Sequence, residues 1–442
     1  MKILCLIPPY VPSYFNAGHH LSVFMTGAFL RERVKGASIT CFDGAALNCT
    51  WRALGEVLIA RYDLVVLMND FDGIDSFERT IAYIRALSPP ARILTVGRLS
   101  AHLPGLFERF DLDAIHASGD PEAAALAYVE QLTVTHPRES VSGVSVRRAD
   151  RSFATPGPGT RLPAEEWVLP DVMEIPHDAY DRLYLDDLNK FCGIPERLEL
   201  VVPVARGCPV GCAFCDVPAL QGAGERRLTV ARTLAYIRDT FRRKPFEYVS
   251  FYAPTFTLKA SWLRDLCDAM IAEGSPWPWK CVTTLRHVDR EMVELMAAAG
   301  CVRISIGLET LEPAALPGLP KLKQTQRAEF DALAAWCREA GMELNCFVIL
   351  GLPGDSLAGV QATAQTVGEA GARLRTSIYT PYYVMTADMD RETAAGFNRQ
   401  LFVGDHPGGA ERAAYYRLFF GRDTEPTQVM QAIPRRREAS GA

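Results

Sequence analysis

The chain has 442 residues, of which 48% are hydrophobic, 22% charged and 10% aromatic, with a formal net charge of −5. That composition supports a sizeable buried core and excludes disordered, collagen-like and coiled-coil chains. The mild acidity argues against a protein that grips a nucleic-acid backbone, and the length sets a prior of about three domains at roughly 150 residues each.

The first 135 residues alternate strand-like and helix-like signals. Ile3–Ile7 is a short apolar run closed by Pro8-Pro9, and Leu21–Arg33 has helical spacing. Ala37–Phe42, Leu64–Met68, Arg92–Val96 and Ala114–His116 read as strands, with helices over Phe77–Leu87 and Pro121–Leu132. Strands alternating with helices predict a doubly wound parallel sheet, whose ligands sit at the carboxyl ends of the strands. Residues 136–195 read as linker and connector, rich in Gly, Pro, Ser and Arg at first and then punctuated by proline.

From Leu198 a second series begins. Leu198–Ala205, Tyr248–Tyr252, Lys280–Leu285, Val302–Leu308, Glu343–Leu350 and Arg373–Thr380 read as strands. The helical stretches between them are Thr229–Arg242, Leu258–Ala272, Arg290–Ala299, Gln326–Ala340 and Leu357–Ala370. Six βα units fall short of a closed eight-stranded barrel and predict an open partial (β/α)6 barrel over 196–385. Residues 386–442 read as a helical extension.

The opening has too short an apolar run for a secretory signal, and no stretch reaches the roughly 18 apolar residues of a membrane span. The expectation is a cytoplasmic protein with reduced thiols, without membrane or nucleic-acid partners. The chain has 12 cysteines. In a reducing compartment, a close group of them points to a metal or catalysis before disulfides. Such a group stands at the end of the first barrel strand: Arg206-Gly-Cys-Pro-Val-Gly-Cys-Ala-Phe-Cys215, with Cys208, Cys212 and Cys215. Gly207, Pro209 and Gly211 make this a loop rather than packed helix core. Zinc wants four ligands, often from paired knuckles. Three thiols without an obvious fourth suit a cubane iron–sulfur cluster with one iron left open.

The Cys-x-x-x-Cys-x-x-Cys loop followed by six βα units resembles the radical S-adenosylmethionine (SAM) superfamily. In that superfamily three thiolates hold a 4Fe–4S cluster, the SAM amino and carboxylate groups chelate the open iron, and an electron from the cluster cleaves a sulfonium C–S bond. The whole chain resembles the subgroup with an N-terminal, Rossmann-like cobalamin-binding-type domain. The matching segments are I-P-P-Y at Ile7–Tyr10, Y-D-L-V-V-L-M at Tyr62–Met68, A-G-C-V-R-I-S-I-G-L-E-T at Ala299–Thr310 and C-F-V-I-L-G-L-P-G-D-S at Cys346–Ser356.

The resemblance implies roles by position. Phe214 would touch the SAM adenine through its backbone. Glu309, closing the fourth strand, would bond the ribose or amine. Arg286 would pair the SAM carboxylate, and Ser305 and Val348 would line the adenosyl pocket. Lys321 matches a basic position of the subgroup. Each has a plainer alternative: loop packing for Phe214, core for Ser305 and Val348, and surface charge for Arg286, Glu309 and Lys321. Cys267, Cys281, Cys301, Cys337 and Cys346 read first as core thiols, with Cys301 and Cys346 close enough to strands to face a substrate.

The chain departs from the subgroup twice. After the second barrel strand, acidic residues usually hold the SAM amine, whereas here Ala253-Pro254 supply none and only the hydroxyls of Thr255 and Thr257 remain. In the N-terminal domain Arg98 stands where a second glycine is typical, and no D-x-H-x-x-G motif supplies a lower cobalt ligand. The resemblance implies cobalamin-dependent methyl transfer to a small molecule, with a flavodoxin- or ferredoxin-type electron donor. The two departures keep a second reading open, cobalamin-independent transfer of a 3-amino-3-carboxypropyl group to a soft acceptor, as in arsinothricin biosynthesis. A non-catalytic iron–sulfur sensor is a third.

Overall fold

The computed structural model describes residues 1–9, 21–69, 74–136, 138–183, 194, 197–379, 386, 388–390 and 393. Tyr10, the end of the connector and nearly all of the tail beyond Asp388 lie outside the described residues. The chain forms two compact units, one built mainly from Met1–Tyr180 and the other from Asp181–Pro218 with Ala223–Pro381.

In the first unit the apolar runs become β1 (Lys2–Ile7), β2 (Ser38–Asp43), β3 (Leu64–Asn69), β4 (Arg92–Gly97) and β5 (Ala114–His116). They lie in the order β2-β1-β3-β4-β5, all parallel. β1 and β3 are apolar almost throughout because helices cover both faces of the sheet. Phe77 packs edge-on against Phe107 and Phe110, each at 5.4 Å between ring centroids. A sixth strand, β6 (Val144–Val146), adds antiparallel to β5. It falls within the stretch read as linker; three residues are too few for periodicity to register.

The second unit opens with β7 (Glu199–Pro203), followed by the small ribbon of β8 (Ala205–Arg206) and β9 (Arg226–Arg227). β10 (Tyr248–Tyr252), β11 (Trp279–Thr283), β12 (Cys301–Glu309), β13 (Glu343–Leu350) and β14 (Arg373–Ile378) complete a parallel sheet, in the order β7-β10-β11-β12-β13-β14. Strands succeeding each other in chain order give the open (β/α)6 architecture. The helices begin where short polar side chains satisfy their first amides. Thr229 accepts from Arg232 N at 3.3 Å, Asp289 from Met292 N at 2.8 Å and Ser356 from Gly359 N at 3.0 Å.

Strand register divides this sheet into two unlike faces. Val202, Phe251, Cys281, Ile304, Ile306 and Cys346 share the face under the helices. Phe251 stacks on Phe256 at 5.1 Å, and Phe256 meets Trp262 of the helix Ala260–Ala272 edge-on at 5.7 Å. The opposite face is polar. Glu199 pairs with Lys280 at 2.9 Å, while Glu343 bridges Arg303 at 2.9 Å and Arg373 at 3.2 Å. Ser305 accepts from the Asn345 amide at 3.2 Å. Among the described residues no helix is long and apolar enough to cross a membrane.

Candidate active site

The cysteine loop leaves the ribbon strand β8 just past the carboxyl end of β7, where sites of βα barrels lie. Gly207 and Gly211 take φ of +86° and +74°, conformations that L side chains rarely adopt. The base of the loop is pinned by Arg227, which forks onto Glu225 at 2.8 and 2.7 Å and donates to the Thr255 carbonyl at 3.2 Å. Its guanidinium lies 4.6 Å from the Trp262 ring centroid. Phe214, between two of the cysteines, packs on Ala315, Leu316, Leu319, Ile349 and Leu352. The loop is therefore clamped between β10 and the segments that follow β12 and β13.

Cys208, Cys212 and Cys215 are electrostatic neighbours. Burial pushes the Cys212 thiol up to about 12, with Lys323 opposing that shift and Glu309, Cys215 and Cys208 adding to it. Burial also raises Cys215, and the Val217 amide opposes it. Among the described residues no three His, Cys, Asp or Glu side chains close on a single ion. A cubane makes a different demand: each of three irons takes one thiolate, so the ligands stand apart around an inorganic core. Three neighbouring, partly shielded thiols with no fourth ligand among the described residues fit that group better than a closed four-ligand zinc site.

Thr255 joins this site, its Oγ1 lying 3.6 Å from Cys208 Sγ. Glu309 is also at the strand ends. It closes β12 at φ +64°, next to a register shift between Gly307 and Glu309. Its Oε1 accepts from Lys323 Nζ at 2.9 Å, and Lys323 also donates to the Gly307 carbonyl at 3.3 Å. Lys323 is thus the buried basic residue of the L-P-K-L-K segment, while Lys321 is exposed. Periodicity gave no means of choosing between two lysines one residue apart, since both lie in a single 3-10 turn, Lys321–Lys323.

Other expected residues are placed elsewhere. Thr257 is buried and spends its hydroxyl on Thr283 Oγ1 at 2.5 Å. Arg286 donates to the Gln324 carbonyl at 2.8 Å and to Glu329 at 3.1 Å, a commitment away from the thiols. Ser305 lies on the polar face of the sheet. Val348 is fully buried in register with Glu309 and, by alternation, shares the helix-covered face with Cys346. Cys281 and Cys346 also point under the helices, and Cys301 donates to the Arg303 carbonyl at 3.5 Å. Burial raises the Cys267, Cys301, Cys337 and Cys346 thiols, so these are inert core groups.

In the turn after β13, burial pushes the Asp355 carboxyl up to about 6, and Glu312 adds to the shift. The Ser356 amide donates to Oδ1 at 2.9 Å. An unfolded aspartate titrates near about 3.9, so here the folded state binds the proton more tightly. Stability contributed by this group is present below the unfolded pKa and is lost as pH rises to about 6. Asp355→Asn is therefore expected to raise the thermal midpoint at about pH 7.5 and to change it little at about pH 4, read by thermal unfolding at the two pH values.

Residues 202–367 match the family model of the Radical SAM superfamily. That segment is similar to a radical SAM domain. Over 174 residues it is 25% identical to bacteriochlorophyllide d C-12(1)-methyltransferase of Chlorobaculum tepidum, covering 38% of this chain and 37% of that one. Over 176 residues it is 27% identical to cytidylyl-2-hydroxyethylphosphonate methyltransferase of Streptomyces wedmorensis, covering 38% and 32%. The matches thus span less than half the length of these curated relatives. The fold is similar to that of TsrM, a radical SAM methyltransferase from Kitasatospora setae solved with tryptophan and a SAM analogue. The TM-score is 0.69 at 16% identity, over 86% of this chain and 74% of that one. It is also similar to OxsB, a cobalamin-dependent SAM radical enzyme solved with aqua-cobalamin and SAM, with TM-score 0.67 at 16% identity, over 91% and 55%.

The matched segment lies almost wholly within the second unit. The strand order of the first unit places a switch point between β1 and β3, where doubly wound sheets of this order bind a planar cofactor. The sheet thus has the strand order of the doubly wound sheets that bind a cofactor at that point. The described loop after β4 is already filled: a Cβ on Gly97 would lie 2.0 Å from the Asn69 carbonyl oxygen.

Proposed function

We propose that the chain is a radical SAM enzyme that methylates a small molecule, with cobalamin carried by the first unit. Cys208, Cys212 and Cys215 hold the 4Fe–4S cluster in this reading. The observation that carries it is the three-thiol loop at the carboxyl end of the first strand of an open, six-stranded parallel barrel. When bound, the cluster supplies the electron that cleaves the SAM sulfonium and cobalamin supplies the methyl group.

The chain's own residues do the rest. Phe214 anchors the loop, Thr255 and Glu309 supply polar groups at the strand ends toward SAM, and the polar sheet face receives a substrate that itself carries polar groups. The domains follow as 1–135 for cobalamin, 136–195 as connector and 196–385 for radical chemistry, with 386–442 as an extension. The same reading places the protein in the cytoplasm, where a flavodoxin- or ferredoxin-type protein reduces the cluster. The methyltransferase relatives and the two structural neighbours, one holding tryptophan and the other cobalamin, support methyl transfer to a small molecule.

The test is anaerobic reconstitution with iron, sulfide, reductant, SAM, hydroxocobalamin and candidate substrates, followed by identification of the SAM fragments. 5′-Deoxyadenosine together with S-adenosylhomocysteine is the expected result. 5′-Methylthioadenosine in their place would move the reading to aminocarboxypropyl transfer. No SAM turnover with any substrate would overturn the enzyme reading.

A further inference from the structure

A buried cation lies beside the cysteine loop, and it takes no part in the roles assigned above. The Lys323 side chain is 12% exposed and the Glu309 side chain 7%. The pair is built to close tolerance: a Cβ on Gly307 would sit 2.2 Å from Lys323 Nζ and 2.3 Å from Glu309 Oε1. A side chain at position 307 would collide with the ion pair. Glu309 reaches it through a left-handed backbone conformation next to the register shift in β12, a conformation that a non-glycine residue keeps only where its surroundings enforce it. Phe214 packs the cysteine loop onto Leu316 and Leu319, a few residues before Lys323. Lys323 opposes the upward shift that burial imposes on the Cys212 and Cys215 thiols, and Glu309 adds to that shift at Cys212.

Isolated buried ion pairs contribute little net stability, but in a low-dielectric setting their charges act strongly on a redox group nearby. Reducing a thiolate-ligated cluster adds negative charge to an anionic centre, so a neighbouring ammonium favours the reduced state and a carboxylate disfavours it.

We propose that Lys323 and Glu309 are positioning residues whose opposed charges set the reduction potential of the cluster held by Cys208, Cys212 and Cys215. This rests on the cluster reading above. Lys323 also holds the Glu309 carboxylate at the strand end, which fixes the distance of both charges from the loop.

The test is a redox titration of the reconstituted full chain, followed by the electron paramagnetic resonance signal of the reduced cluster, without SAM. Lys323→Met is expected to lower the midpoint potential, Glu309→Gln to raise it, and Lys323→Arg to restore a value near that of the unaltered protein. Opposite shifts are the signature, because a merely structural role would move both variants the same way or neither. If Lys323→Met fails to take up iron, Glu309→Gln, nearly identical in shape, carries the test alone by the sign of its shift. Unchanged potentials, or shifts in one direction, would overturn the proposal while leaving the cluster in place. Failure of the unaltered chain to form a cluster would instead overturn the cluster reading.

Discussion

Replacing any one of Cys208, Cys212 or Cys215 with alanine is expected to reduce SAM cleavage to background and to lower the iron bound after reconstitution. Each iron of a three-thiolate cubane depends on its own ligand. Of the remaining described cysteines all but Cys41 are buried, and those of the second unit lie in its strands and helices. Cys267→Ala is the matched control. Its thiol is buried in the helix Ala260–Ala272, so the change costs roughly the 1–2 kcal/mol of a small core truncation and leaves the cluster intact. The measurements are iron and sulfide content, the visible spectrum and 5′-deoxyadenosine release. A ligand variant that keeps both iron and activity would refute the assignment.

Gly97→Ala is expected to destabilise the first unit by about 3 kcal/mol or more, through backbone strain and the forced displacement of a buried neighbour. Gly97 has φ +150°, and the added Cβ would meet the Asn69 carbonyl oxygen at 2.0 Å and its side-chain oxygen at 2.8 Å. That neighbour cannot yield. The Asn69 amide donates to Thr95 at 2.7 Å and to Ser100 at 2.9 Å, and its oxygen accepts from the Ser100 amide at 2.9 Å. At this size the loss corresponds to a fall of roughly 6–12 °C in the thermal midpoint of the unit. It should appear without added cobalamin, because the close approach is internal to the chain. A fall seen only with hydroxocobalamin present would mean that the glycine serves the cofactor instead. The measurement is thermal unfolding followed by circular dichroism, with and without the corrinoid.

The elements of the second unit were legible because strands of five or more residues, most of them rich in apolar and β-branched side chains, alternate with helices that have polar N-caps. All six expected strands appear, with ends displaced by no more than two residues. β6 was not legible, since Val144–Val146 is three residues in a Gly- and Ser-rich stretch. Within the site, the cysteine loop was legible as a motif, and Glu309 and Thr255 stand at the strand ends as their positions suggested. Arg286 and Thr257 show the limit. Each follows a strand, as a site residue should, but whether a side chain faces the mouth depends on partners distant in sequence: Glu329 for Arg286 and Thr283 for Thr257. Lys323 was missed for the same reason, because its partner Glu309 is in another element.

The sequence by itself determined the architecture and pointed to the chemistry. Three thiols in eight residues, between a strand and a succession of βα units, place a cysteine loop at the mouth of an open barrel, because residue spacing and hydrophobic period are local properties of a chain. Only the tertiary structure decided which polar groups attend that loop. Strand register sorts each barrel residue to the polar or the helix-covered face and removes Cys281, Cys346 and Val348 from the polar side. The shift at Gly307 and the left-handed turn at Glu309 bring a carboxylate and a buried ammonium to the loop. Register and close approach arise from pairing between segments far apart in sequence, and no local pattern encodes them.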